Sequence, residues 1–217
     1  MKILVISDMQ NGFVAKDGSL YMNKADSLIP ATNEFLSTAS GYDFVFTTMD
    51  THFEEEYYTS VEGKMFPPHC FYDTYDWKLA INPYLMKDTP KYYMLKNSFD
   101  MWKHLSSKER ERKKSHLLAY NSLYRVTSNI NEFDDSIQRD DFFKIKAPNF
   151  SDLTVHLIGV ASDYCNRYAA EGFLKRGAKV VLIENLTKGI NQETKDIIHE
   201  PQYEAYLKSG QLTTTTV

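Results

Sequence analysis

The sequence predicts an α/β fold with a mainly parallel central sheet, and three observations carry this. Four short apolar runs, KILVIS (2–7), DFVFTTM (43–49), TVHLIG (154–159) and KVVLIE (179–184), are mostly rich in Val, Ile or Phe. Continuous runs of this kind fit strands buried on both faces. Helix-compatible segments lie between them, the alternation expected of a parallel sheet. The chain has 217 residues, 42% of them hydrophobic, enough for one sizeable core and too few to require two domains.

Each element follows from its own residues. KILVIS ends at Asp8, in SDMQNGF. A carboxylate at the C-terminal end of a parallel strand faces the usual ligand crevice of such sheets; as an alternative it caps a helix or an Asx turn before Asn11-Gly12. Residues 25–36 carry Ala25, Leu28, Ile29, Thr32, Phe35 and Leu36 at near-helical spacing. DFVFTTM leads into MDTH (49–52), where Asp50 and His52 stand two apart and share a face if the strand continues. Carboxylate oxygen and imidazole nitrogen both suit a divalent ion. Glu54, Glu55, Glu56, Glu62 and His69 are further ligand candidates, and the alternative is an acidic loop with unrelated histidines. In FPPHC (66–70) the prolines restrict the backbone before His69, and Cys70 reads as a small buried residue. Lys96 follows the apolar run YYML, where it holds a developing negative charge, tunes a thiol or is simply solvated.

The middle of the chain is less regular. KERERKK (108–114) sets two acids among five bases and reads as a solvated face rather than an anion patch. NINEFDDSIQRDDFF (129–143) is polar and acidic, the composition of a surface excursion. TVHLIG then leads into GVASDYC, and residues 165–175 carry Cys165, Tyr168, Ala169, Gly172 and Phe173 at helical spacing, with Gly177 at the expected stop. A cysteine in the first turn of a helix meets unpaired N–H groups and the positive dipole end. Both favour thiolate, the nucleophilic form, and the same N–H groups suit an oxyanion. Asp163 is placed to cap this helix. A buried packing role for Cys165 is the alternative.

Bulk properties bound the function. A net charge of −4 gives no support to nucleic-acid binding. Two cysteines make no disulfide framework, so a reducing, cytoplasmic setting is expected. MKILVISDMQ, with one lysine and a short run broken by Asp8, is neither a signal peptide nor a membrane span.

Taken together, SDMQNGF, MDTH, FPPHC, LKNSFD and GVASDYC resemble the isochorismatase-like cysteine hydrolases, and among them the nicotinamidases, also called pyrazinamidases. The correspondence runs through almost the whole chain and weakens at about 103–150. The resemblance implies a doubly wound three-layer sandwich. It implies Asp8, Lys96 and Cys165 as the catalytic set. It further implies a cis peptide between Val160 and Ala161 and an oxyanion hole from the N–H groups of Ala161 and Cys165. Asp50, His52 and His69 match its metal ligands. The remaining ligand is often histidine, and this loop has none; Glu62, seven residues before His69, stands where some nicotinamidases place a glutamate. Such a set implies one divalent ion, Zn²⁺ first, with the added oxygen ligand widening the choice to Mn²⁺ or Fe²⁺. Two residues depart from the usual pattern: Thr51 replaces a common tryptophan, and Phe66 stands where tryptophan is frequent. Phe13 and Phe66 are expected to sandwich a pyridine ring, with Tyr164 lining the pocket.

The implied activity is hydrolysis of nicotinamide or pyrazinamide through a thioester, with release of ammonia. Competing readings are a hydrolase of another small amide or N-carbamoyl substrate, a vinyl-ether hydrolase of the isochorismatase type, and a flavodoxin-like binding module. SDMQNGF lacks the GxGxxG spacing of a nucleotide fold. The expected partner is a small molecule rather than nucleic acid or membrane, and a homo-oligomer is compatible with the chain.

Overall fold

The structure, a computed structural model, describes residues 1–106, 109 and 116–217. Its strands are β1 (Lys2–Ser7), β2 (Phe44–Asp50), β3 (Lys91–Lys96), β4 (Arg125–Thr127), β5 (Ile137–Gln138), β6 (Thr154–Val160), β7 (Lys179–Lys188) and β8 (Leu212–Thr215). They form one sheet in the order β5-β4-β3-β2-β1-β6-β7-β8. The run from β3 through β8 is parallel, and β4 and β5 extend it antiparallel.

The apolar runs are buried on both sides, as their composition predicts. In β1, Ile3 and Val5 join one core cluster while Leu4 and Ile6 join another. Phe44 and Phe46 of β2 divide from Val45 in the same way. The helices include α1 (Asn11–Val14), α2 (Leu28–Thr38), α3 (Glu54–Tyr57), α4 (Leu117–Asn121), α5 (Arg139–Lys146) and α6 (Cys165–Lys175). Residues of α2 pack in the cluster with Leu4, and residues of α5 and α6 pack in the cluster with Ile3. Helices therefore cover both faces of the sheet, giving the three layers expected.

The helix expected over 25–36 begins as a 3₁₀ turn, Ala25–Ser27, and continues as α2. Pro30 falls in the first turn of α2, where a missing N–H costs nothing. The helix expected over 165–175 is α6, and Gly177 follows it with φ +96°. Three short strands, β4, β5 and β8, lie in segments whose composition did not predict them. The 129–143 stretch also goes beyond a surface excursion: Arg139, Phe142 and Phe143 are buried, and both phenylalanines belong to the core. Of KERERKK only Glu109 is among the described residues, where it pairs with Lys103 at 2.9 Å; the rest of that expectation lies outside them. No helix among the described residues is long and apolar enough to cross a membrane.

Candidate active site

Strand register brings the first group of residues together. Asp50, the last residue of β2, lies opposite Lys96, the last of β3. Ser7, the last of β1, is flanked by Thr48 and by Gly159 of β6. Asp8 follows directly with φ +49°, its N–H donating to the Thr48 carbonyl at 3.2 Å. Four strand ends thus converge at one edge of the sheet, the crevice where parallel α/β folds bind ligands.

Lys96 is the hub of this group. Its Nζ lies 2.7 Å from Asp8 Oδ2 and 3.4 Å from Asp50 Oδ1. It also donates to Cys165 Sγ at 3.4 Å. Thr48 Oγ1 donates to the other Asp8 oxygen at 2.7 Å. Asp8 and Lys96 are almost wholly buried and Cys165 is 6% exposed. Asp8 therefore serves this cluster rather than capping a helix.

Burial works against the helix-start effect expected for Cys165. Burial, outweighing the lowering effect of Lys96, pushes its thiol well above the usual range, and Asp8 adds to the rise. Burial likewise raises the Asp8 carboxyl, against the opposing pull of Lys96 and of the thiol hydrogen bond. Burial alone disfavours the Lys96 cation, but the surrounding negative charges of Asp8, Cys165 and Asp50 hold it well above its ordinary value. Lys96 Nζ thus bridges Asp8, Asp50 and the Cys165 sulfur in one buried group.

Cys165 opens α6 after a tight turn. Gly159 has φ +103°, and a Cβ there would sit 2.1 Å from the Ser7 carbonyl oxygen, so only glycine allows β6 to lie this close to β1. The Val160–Ala161 peptide is cis. The N–H groups of Ser162, Tyr164 and Asn166 are spent on the carbonyls of Lys188 and Ala161. Those of Ala161 and Cys165 take no such partner among the described residues. Contrary to the sequence expectation, Asp163 does not cap α6; its carboxylate instead accepts the N–H groups of Ile190, Asn191 and Gln192 at 2.9, 2.7 and 3.2 Å. Asp163 thereby pins a loop that borders the pocket.

The second group adjoins the first. Ligand atoms of Asp50, His52, Glu62 and His69 all lie within 4.8 Å of one another. Asp50 Oδ2 is 2.8 Å from His52 Nε2 and 3.3 Å from His69 Nε2. Glu62 oxygens stand 3.7 Å from His52 Nε2 and 3.4 Å from His69 Nε2. Asp50 Oδ2, His52 Nε2, Glu62 Oε2 and His69 Nε2 are all buried without a hydrogen-bond partner. Buried polar atoms are rarely left this way, and four lone pairs converging on one point suit a divalent cation. Burial opposes charge on the imidazoles, but Asp50 and Glu62 outweigh it and push His52 up to about 9 and His69 up to about 10. The same field attracts a metal ion. His69 Nδ1 lies 2.7 Å from the Pro67 carbonyl oxygen; donating there leaves Nε2 free as a ligand. Glu54 and Glu55 are exposed on α3, and Glu56 accepts from Asn97 at 2.9 Å; none joins the group.

A pocket above the thiol is lined by Phe13, Leu20, Phe66, Phe99, Tyr164 and Ile190, with Cys165 and Glu62. All three aromatic residues expected from sequence are there. Its volume is about 20 Å³, room for about one water. Phe99 helps to close it, 4.9 Å from the Tyr164 ring and 6.0 Å from Phe66. A larger cavity of about 620 Å³ reaches His52, Glu62 and Phe99 as well.

Sequence reasoning missed several residues here. Gln10 is fully buried; it donates to the carbonyls of Asp50 and Trp77 at 2.8 Å each and accepts the Asp50 N–H at 2.7 Å. It therefore aligns the backbone of a candidate ligand. Its signal was a glutamine two residues after Asp8, in a stretch otherwise read as a turn. Trp77 Nε1 donates to Thr51 Oγ1 at 3.0 Å, so an indole from elsewhere in the chain packs at the position where Thr51 departs from the familiar pattern. Thr48, Phe99 and Asn166 had no sequence signal beyond their neighbours.

No family model matches the chain. The nicotinamidase/pyrazinamidase of Mycobacterium tuberculosis is 24% identical over 197 residues, 89% of this chain and 90% of that protein. The pyrazinamidase of Pyrococcus horikoshii, solved in complex with zinc, superposes with TM-score 0.62 and 23% identity, covering 100% of this chain and 99% of that one. The yeast nicotinamidase bound to the inhibitor nicotinaldehyde superposes with TM-score 0.62 and 18% identity, covering all of both chains. The chain is thus similar in sequence to a nicotinamidase/pyrazinamidase and has the α/β fold of the isochorismatase-like hydrolases.

Proposed function

We propose that this chain is a metal-containing cysteine amidohydrolase that converts nicotinamide to nicotinate and ammonia. One observation carries the reading. Asp50 turns one oxygen to Lys96, beside Asp8 and Cys165, and the other to His52 and His69. Nucleophile and metal group are therefore one site, served by one pocket. Strand ends from both halves of the chain build it, which supports a single hydrolase domain over residues 1–217.

The pyridine ring enters between Phe13 and Phe66, and the pocket walls part to admit it. Asp8 takes the proton from Cys165 as sulfur attacks the carboxamide carbon. The carbonyl π pair moves to oxygen, where the N–H groups of Ala161 and Cys165 receive it. The tetrahedral species collapses, and ammonia leaves with the proton held by Asp8. A thioester remains on Cys165. Asp8 then takes a proton from water as that water attacks the thioester carbon. Collapse expels the Cys165 sulfur, which recovers its proton from Asp8. Lys96 keeps Asp8 ionised in a buried setting. Asp50, His52, Glu62 and His69 would hold the divalent ion, Zn²⁺ first, with Mn²⁺ or Fe²⁺ also compatible with two carboxylate donors. When bound, it supplies Lewis acidity toward the aromatic ring nitrogen and balances the two carboxylates.

The test is an ammonia-release panel with nicotinamide, pyrazinamide and N-carbamoyl substrates, run with and without a chelator. The proposal expects release from the two ring amides, lost on chelation and restored by added metal. Release from carbamoyl substrates alone would overturn the substrate assignment.

A further inference from the structure

The turn that carries the candidate oxyanion donors is held by a side chain with no assigned part in the chemistry, that of Asn166. This residue follows Cys165 in α6 and is 3% exposed. Its Nδ2 donates to the Gly159 carbonyl at 2.7 Å, and its backbone N–H donates to the Ala161 carbonyl at 3.0 Å. Those two carbonyls bracket the Val160–Ala161 peptide, whose N–H is that of Ala161. Gly159 is itself seated against Ser7, the residue before Asp8. A single residue therefore ties the start of the nucleophile's helix to the strand end beside the base, across the peptide that offers the oxyanion donor.

The Asn166 side chain is buried, and an apolar residue of similar size would fill the same space. What only an amide donor supplies here is the bond to Gly159. We infer that Asn166 is a positioning residue for the oxyanion hole: it orients the Ala161 N–H toward the developing oxyanion without touching substrate. The inference rests on the hydrolase reading above.

Asn166→Ala and Asn166→Leu both remove the donor, and the leucine keeps the volume and helix propensity. Nicotinaldehyde is the probe. The thiol adds across its C=O: an S–C bond forms, the π pair moves to oxygen and the thiol proton passes to Asp8, with no leaving group. Its affinity therefore reads the oxyanion hole, whereas nicotinate affinity reads ring binding alone. In both variants kcat for nicotinamide is expected to fall about tenfold or more, a part of what loss of a whole oxyanion donor costs. KM and nicotinate affinity should stay within about twofold, and aldehyde affinity should fall in step with kcat. Alkylation of Cys165 by iodoacetamide should keep its wild-type rate. Wild-type aldehyde affinity in either folded variant, or an equal loss of aldehyde and nicotinate binding, overturns the inference. Failure of both variants to fold makes Asn166 a residue of the fold and overturns it too. An inactive wild-type chain fails the hydrolase reading and takes this inference with it, whereas an active wild type with equally active variants overturns this inference alone.

Discussion

Two buried charge groups meet at Asp50, and they are built on opposite plans. Around Lys96 each charge has its counterpart: the ammonium reaches Asp8, Asp50 and the thiol at 2.7, 3.4 and 3.4 Å. Around His52 and His69 two imidazole nitrogens and two carboxylates converge within 4.8 Å, with no lysine or arginine among them. The first group has the make-up of an acid–base set, and the second that of a cation site. On the proposed function the difference separates two tasks: one half moves protons and forms bonds, the other binds and polarises. Substitutions in the two halves should therefore fail in different ways.

The largest contrast is between Asp8→Asn and His52→Ala. Asp8→Asn removes the base, and kcat should drop by roughly 10²–10⁴-fold while the purified protein keeps a full complement of metal. His52→Ala should lower metal affinity by more than the roughly 10–100-fold typical of an outer-shell change, measured by metal analysis after dialysis, and leave Cys165 open to alkylation. If His52→Ala bound metal as the wild type does, the division between the groups would be wrong.

A smaller effect should appear in the pH profile of Lys96→Ala. Asp8 must be ionised to accept the thiol proton, so kcat/KM falls as pH drops through its pKa. Burial already raises that pKa, and Lys96 is the charge that opposes the rise. Without the cation the carboxyl is protonated more readily, so the acid limb should move to higher pH. The profile is taken with metal in excess, so that the histidines do not set the limb. A limb that stays in place or moves down would break the coupling between Lys96 and Asp8.

The smallest effect concerns the pocket wall. Phe99→Ala removes an aromatic neighbour of Tyr164 and Phe66, an interaction of about 0.5–1.5 kcal/mol. KM for nicotinamide should change by a few-fold to about tenfold, with metal content and Cys165 reactivity unchanged. A loss confined to kcat would place Phe99 in the chemistry instead.

What was legible in the sequence follows the same division. The long buried strands announce themselves by composition, so the positions of Asp8, Asp50 and Cys165 at strand and helix ends could be read directly. The resemblance then singled out Glu62, which the structure brings beside His52 and His69. Strands β4, β5 and β8 were not legible, because two to four residues carry no periodicity. LTTT of β8 offers β-branched residues but little hydrophobic signal. Gln10 and Asn166 were not legible because their roles depend on carbonyls far away in the chain or across a turn. Asp163 was misread for a physical reason: a local rule about helix starts gave way to the N–H groups of a distant loop.

The central claim is that Cys165 forms a covalent thioester with the substrate acyl group. Its most direct test is mass spectrometry of the metal-loaded enzyme, acid-quenched during turnover of nicotinamide and digested. The account predicts one nicotinoyl group on the peptide containing Cys165, absent from the Cys165→Ala variant, which should also lose activity by roughly 10⁴–10⁶-fold. Steady ammonia release by Cys165→Ala, or a nicotinoyl group carried on another residue, would contradict it.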